Sequence, residues 1–264
     1  MILFSGVASN ITDAFYETMA GFTTTGSTIF VDVEKLPKGI LLWRSLMQWI
    51  GGMGIILFTL AVIPMLNKSG GVQLFNAEVT GITHDKLRPR VSGTAIGLWG
   101  VYLGMTVVMA VFLMFGPMDW FDSLCHTMSC VSTGGFSTKN ESIGFWDSRY
   151  IDSIVIVFMF LGGVNFSLIY NALSGKIRVL WENEVLRWYV LLCCIGTLIC
   201  FGDLFYRGEN SNVIDCLLDS LFHIVATITT TGFSVENYSW GQFSMMVLML
   251  LMISCACAGS TSGG

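Results

Sequence analysis

The sequence predicts an all-α integral membrane protein built from tandem repeats. Each repeat is a spanning helix, a short dipping helix that ends in a Thr/Gly turn, and a second spanning helix. Three observations carry this prediction. Hydrophobic residues make up 53% of the 264-residue chain and charged residues 12%, about half the charge of a soluble domain, and the mean hydropathy is +0.69. Uncharged runs long enough to cross a bilayer recur along the chain. One pattern also occurs three times without a gap, and an internal repeat outranks other fold signals.

The first copy is Asp13-Ala-Phe-Tyr-Glu-Thr-Met-Ala-Gly-Phe-Thr-Thr-Thr-Gly-Ser-Thr28, which runs into the uncharged run 18–31. The run 45–67 comes next as the first expected span, then a polar connector over 68–90. Residues 91–118 form the next span. They lead to the second copy, Asp122-Ser-Leu-Cys-His-Thr-Met-Ser-Cys-Val-Ser-Thr-Gly-Gly-Phe-Ser137, within the run 123–138. Residues 153–175 span again, 176–187 connect, and the shorter run 188–202 crosses if its charged ends snorkel. The third copy is Asp219-Ser-Leu-Phe-His-Ile-Val-Ala-Thr-Ile-Thr-Thr-Thr-Gly-Phe-Ser234, within 220–235, and the run 237–264 is the fifth expected span. The three copies lie in runs too short to cross, which read as re-entrant segments. Irregular Thr/Gly backbone at membrane depth must be buried in protein or line a wet cavity; surface amphipathic loops are the plainer alternative.

Alternating five crossings puts 68–90 and 176–187 on one side. That side holds seven Lys/Arg against four Asp/Glu, and the other side six against fourteen. The basic residues of the first side sit in short connectors, which places it in the cytoplasm. The acidic face would then concentrate cations at a pore mouth, or simply be a solvated rim. No signal peptide is expected, and both ends look cut rather than finished.

The repeat carries its own chemistry. A short helix points its negative carbonyl end toward the turn after it. A Thr/Gly turn presents carbonyls in a row, and rings of such carbonyls replace the hydration shell of potassium. Glycine at Gly26, Gly135 and Gly232 lets that backbone turn without a Cβ clash.

Thr23-Thr-Thr-Gly-Ser-Thr28, Ser132-Thr-Gly-Gly-Phe-Ser137 and Thr229-Thr-Thr-Gly-Phe-Ser234 resemble the first three selectivity-filter segments of the Trk/Ktr/HKT superfamily of potassium transporters. Trp43-Arg-Ser-Leu-Met-Gln-Trp-Ile-Gly-Gly-Met-Gly54 resembles the first post-filter helix of the bacterial Trk-type membrane subunit. Asn76-Ala-Glu-Val-Thr-Gly and Asp85-Lys-Leu-Arg-Pro-Arg90 resemble its next cytoplasmic loop. Cys257-Ala-Gly-Ser-Thr-Ser-Gly-Gly264 resembles its intramembrane loop.

The resemblance implies four such units around a pseudo-fourfold ion pore. It assigns potassium to the carbonyls of Thr24, Thr25 and Gly26, of Thr133, Gly134 and Gly135, and of Thr230, Thr231 and Gly232. The gate would be Ala258, Gly259, Ser260, Thr261, Ser262, Gly263 and Gly264; a small-residue packing face is the alternative there. The family pattern divides the chain into a first repeat (1–67, leading helix missing), a loop (68–90), a second repeat (91–175), a loop (176–187) and a third repeat (188–264). A fourth repeat and a basic pore residue have no counterpart here, so the chain reads as a fragment that should not conduct by itself. Potassium is then substrate rather than cofactor, and no cofactor is expected. The partners implied are membrane lipid, a second copy forming a homodimer, and a cytosolic nucleotide-binding regulatory subunit near Lys86–Arg90; nucleic acid is not among them. The location implied is the cell's inner membrane, with multiple passes.

Other patterns carry less. Eight cysteines form no CxxC pair and read as small hydrophobes. His126 and His223 share a repeat position with Glu17 and are expected to be polar groups on the helix surface. Asp13, Asp122 and Asp219 are expected to cap their short helices. Arg44 reads as a snorkelling or ion-pairing anchor, and Met246, Met249 and Met252 as lipid- or core-facing filler. Asn165 either bonds across helices or lines the permeation route.

An enzyme is not expected, since no HExxH and no acidic pair lies inside a span. A non-conducting assembly or sensor module, or a sodium-permeable or sodium-coupled transporter of the same fold, remains the alternative to potassium uptake. Glycine at the three filter ends leans toward potassium, because a bulkier first residue accompanies sodium in related plant transporters.

Overall fold

The structure, a computed structural model, describes residues 1–8, 10–68, 91–208, 212–236, 238 and 240–263. The connector beyond Lys68 and Gly264, one of the residues expected to form the gate, therefore lie outside the described residues. The helices are α1 (Ile11–Phe22), α2 (Lys38–Lys68), α3 (Val91–Met114), α4 (Trp120–Val131), α5 (Arg149–Gly162), α6 (Phe166–Leu173), α7 (Arg178–Glu182), α8 (Glu184–Arg207), α9 (Val213–Ile228) and α10 (Gln242–Ser254). A 3-10 turn, Ser142–Trp146, leads into α5. Among the described residues there is no strand beyond one bridge between Ser260 and Gly263.

The repeat is visible in the packing. Short helix α1 lies against α2, α4 between α3 and α5, and α9 between α8 and α10. Each later short helix also packs on the preceding unit: α4 on α2, and α9 on α5. Ile96–Met114 and Glu184–Arg207 are long and apolar enough to cross a membrane. Leu103, Val107 and Val111 on α3, and Leu191, Ile195 and Leu198 on α8, leave apolar side chains outward. Met246, Met249 and Met252 do the same on α10, outside the core formed by the described residues. The interior is equally apolar, with Tyr102, Met109, Leu113, Ile151 and Met159 fully buried; a helix apolar all round suits a membrane-embedded fold.

The expected spans differ from the observed helices in four places. Helix α2 starts at Lys38 rather than residue 45, because the Pro37 carbonyl accepts the first helical bonds from Ile40 and Leu41. Its charged first turns are tolerated because Arg44 is paired inside the protein. Helix α8 overruns 188–202 at both ends. The Asn183 side chain caps its start by accepting from Leu186 N, and Gly208 ends it at φ 67. The run 153–175 is not one helix: α5 and α6 meet at 104°. The run 237–264 holds only the 13-residue α10, which stops at Cys255 with φ 54.

The glycine pair of α2 explains how closely the units approach. A Cβ on Gly51 would fall 2.1 Å from the Phe22 carbonyl oxygen, and one on Gly52 2.8 Å from Ser132 Cβ. Only a bare helix face admits the ends of α1 and α4 together.

Candidate functional site

The three Thr/Gly turns have one backbone. Each short helix closes on a hydroxyl residue whose side chain donates to the carbonyl four residues back: Thr23 to Met19 at 2.7 Å, Ser132 to Met128 at 2.8 Å, Thr229 to Val225 at 2.7 Å. The next residue is left-handed in every copy: Thr24 at φ 54, Thr133 at 52, Thr230 at 56. The fourth is left-handed too: Gly26 at 75, Gly135 at 79, Gly232 at 75. Left-handed threonine is uncommon, so three equivalent cases mark a conformation the packing imposes.

The turns also stand side by side. A Cβ on Gly26 would lie 2.0 Å from the Gly134 oxygen, and one on Gly135 1.9 Å from the Thr231 oxygen. Among the described residues, nothing beyond its own chain neighbours lies within 4 Å of the same point on Gly232. All three glycines line one cavity of about 220 Å³, with Arg44, Phe136 and Lys139 at its wall. The nine predicted filter residues are thus brought together, with the second copy in the middle and the most buried.

The segment after each turn is braced from its own short helix. Glu17 accepts from Thr28 Oγ1 at 3.0 Å and from Ile29 N at 3.1 Å. Its repeat equivalents do the same work with other chemistry. His126 Nε2 is 2.9 Å from Ser137 Oγ, and His223 Nε2 is 3.2 Å from the Glu236 carbonyl. His126 is fully buried, which corrects the expectation of a helix-surface role. Asp13 and Asp122 lie in the first turns of α1 and α4, where an acid suits the helix dipole, whereas Asp219 does not lie in the first turn of α9. Asn10, Asp119 and Asn212 stand at the cap positions. Asp122 accepts from Thr138 Oγ1 at 2.8 Å. Asp219 lies well inside α9, paired with Arg149 and with the Tyr238 hydroxyl at 2.6 Å.

Arg44 is an ion-pairing residue rather than a snorkelling one. It is buried, 2.7 Å from Glu17, with its guanidinium 4.1 Å from the Phe136 ring centroid. Removing one member of such a pair leaves a buried charge uncompensated. Farther out, Asn140 ties the first loop to the second. It accepts from Val33 N at 2.9 Å and donates to Asp32 at 3.0 Å. Lys35, and after it Asn140, hold the Asp32 carboxyl down at about 2. This contribution is present above the ordinary carboxylate range and is lost only as pH falls through about 2.

The loop after α10 lies under the turns. Cys257 N donates to the Gly163 carbonyl at 3.0 Å, and Thr261 N to that of Gly162 at 3.3 Å. Thr261 Oγ1 is 3.1 Å from the carbonyls of both Val131 and Gly162. Asn165, whose two readings were open, bonds across elements: its side chain accepts from Ser167 N at 2.8 Å and donates to the Ala258 carbonyl at 2.7 Å. The loop therefore takes up the carbonyls freed where α5 breaks from α6.

Sequence reasoning missed Gln48. Fully buried on α2, its Nε2 donates to the Gly134 carbonyl at 2.7 Å and its Oε1 accepts from Phe136 N at 3.1 Å. All eight cysteines are unpaired, and no three His, Cys, Asp or Glu side chains among the described residues converge as a metal site.

A family model described as "TrkH: Cation transport protein" matches residues 2–264. The Trk system potassium uptake protein TrkH of Escherichia coli K12 is 38% identical over 96% of the chain, which covers 53% of that protein. TrkH of Halomonas elongata is 35% identical over 100% of the chain and 55% of that protein. The crystal structure of the potassium transporter TrkH from Vibrio parahaemolyticus matches with a TM-score of 0.84 and 34% identity, covering 97% of the chain and 52% of that structure. The chain thus spans about half the length of the curated relatives it matches.

Proposed function

The chain belongs to the TrkH cation transport family, a family of membrane transporters rather than enzymes, and from that premise we propose that it forms part of a potassium uptake pore in the cell's inner membrane. Potassium, stripped of water, passes between carbonyls of Thr24, Thr25, Gly26, Thr133, Gly134, Gly135, Thr230, Thr231 and Gly232. The carrying observation is that the three repeat glycines line one cavity at the negative ends of α1, α4 and α9. Transport is passive, down the electrochemical gradient. A carbonyl ring selects by offering what the hydration shell offered.

The loop from Ala258 through Thr261 to Gly264 gates the path from below. The hydrogen bonds of Thr261 and of Ala258 support that reading for the part of the loop described. The division into repeats 1–67, 91–175 and 188–264, with 68–90 and 176–187 facing the cytoplasm, belongs to the same proposal. So do lipid contacts on the outward apolar faces, a homodimer and a cytosolic nucleotide-binding partner, the last two resting on the family resemblance alone.

The test is rubidium and sodium uptake into proteoliposomes of the protein as its gene encodes it. Rubidium uptake blocked by potassium and not by sodium is expected. Equal uptake of sodium would instead favour a sodium-permeable transporter. Uptake of neither ion, from protein that unfolds cooperatively, would favour a non-conducting assembly.

A further inference from the structure

In the first and third turns the first and third residues of the segment are tied by their own side chains. The Thr23 and Thr25 hydroxyls are 2.8 Å apart, and so are those of Thr229 and Thr231. The second turn cannot make this link, because its third residue is Gly134. There, Gln48 of α2 supplies the brace from 86 residues away. Its amide bonds the backbone on both sides of Gly135, at the Gly134 carbonyl and the Phe136 N–H. The two features exclude the alternative: a Cβ on Gly134 would sit 2.4 Å from the Gln48 side-chain carbon and 2.5 Å from its oxygen. A threonine at 134 would push the Gln48 amide out of this position.

We infer that Gln48 is a positioning residue for ion selectivity: it replaces, in the second turn, the threonine pair that shapes the other two. The inference rests on the potassium-filter reading above. Gln48 touches no ion in this account; it acts by aiming the Gly134 carbonyl, whose oxygen has a second lone pair free for other use. Because the second turn sits between the other two, an error there displaces the Gly26 and Gly135 contacts together.

The experiment compares wild type, Gln48→Met, Gly134→Thr and the exchange Gln48→Ala/Gly134→Thr. The readouts are the rubidium-to-sodium uptake ratio and the unfolding temperature. Gln48→Met keeps the volume and removes both hydrogen bonds. It should lower the ratio roughly tenfold, the scale of one or two net hydrogen bonds, while the protein still folds. Gly134→Thr should lower it at least as far. The exchange variant should regain most of the ratio, since Ser132 and a threonine at 134 can form the link seen in the other turns. An unchanged ratio in Gln48→Met, or an exchange no better than the sum of the single changes, overturns the inference.

Should wild type itself prefer neither ion, the transport reading fails and the selectivity role of Gln48 falls with it; whether Gln48 braces the turn is then decided by unfolding. An exchange variant more stable than Gly134→Thr supports the brace, and one that is not more stable overturns it.

Discussion

At the scale of the residue, the three repeat glycines do not have the same neighbours. Gly135 is left-handed and its missing Cβ would overlap the Thr231 oxygen, so Gly135→Ser meets both backbone strain, about 1–2 kcal/mol, and a collision with the next turn. Gly232 has a similar left-handed φ, and among the described residues nothing beyond its chain neighbours adjoins its missing Cβ; the fourth unit that the family pattern implies would meet it on that side. Gly135→Ser is expected to cut rubidium uptake at least tenfold in protein that still folds; unchanged uptake would show that the close approach of the second and third turns is not needed for transport. Both glycines stand out in the sequence because the repeat aligns them. The difference between them is invisible there, since it depends on which turn lies next to which. The residue at 17, 126 and 223 shows the same limit. A glutamate and two histidines share no chemistry on paper, yet each reaches the segment after its own turn.

At the scale of the element, the break between α5 and α6 matters most. Gly162-Gly163-Val-Asn165 reads as the middle of an apolar run; the glycine pair permits a break and Asn165 caps α6, but neither sets a bend of 104°. The bend exists because donors and an acceptor arrive from a loop more than ninety residues on, at Cys257, Ala258 and Thr261. Thr261 joins that loop to both the end of α4 and the end of α5. Thr261→Val keeps the shape and removes the hydroxyl, at about 0.5–1.5 kcal/mol per bond lost. If the loop gates the path, basal rubidium uptake should rise several-fold in this variant, measured without any regulatory partner. Unchanged uptake would mean that the loop is held elsewhere.

At the scale of the whole molecule, the sidedness read from charge is open to a direct test. Lys139 lies at the cavity that the three repeat glycines line, and Lys176 lies in the connector between α6 and α7. In intact cells, a membrane-impermeant maleimide should label Lys139→Cys above the unsubstituted protein and leave Lys176→Cys unlabelled until the membrane is opened. The reverse pattern would invert the orientation.

The sequence by itself determined the all-helical membrane class, the threefold recurrence, the family and the residues of the turns, because composition and repetition are local properties that survive without coordinates. Tertiary structure alone decided where the spans break, that Arg44 pairs with Glu17, and that Gln48 holds the second turn. Those are contacts between distant segments, and a buried polar group takes whatever partner the packing brings within reach.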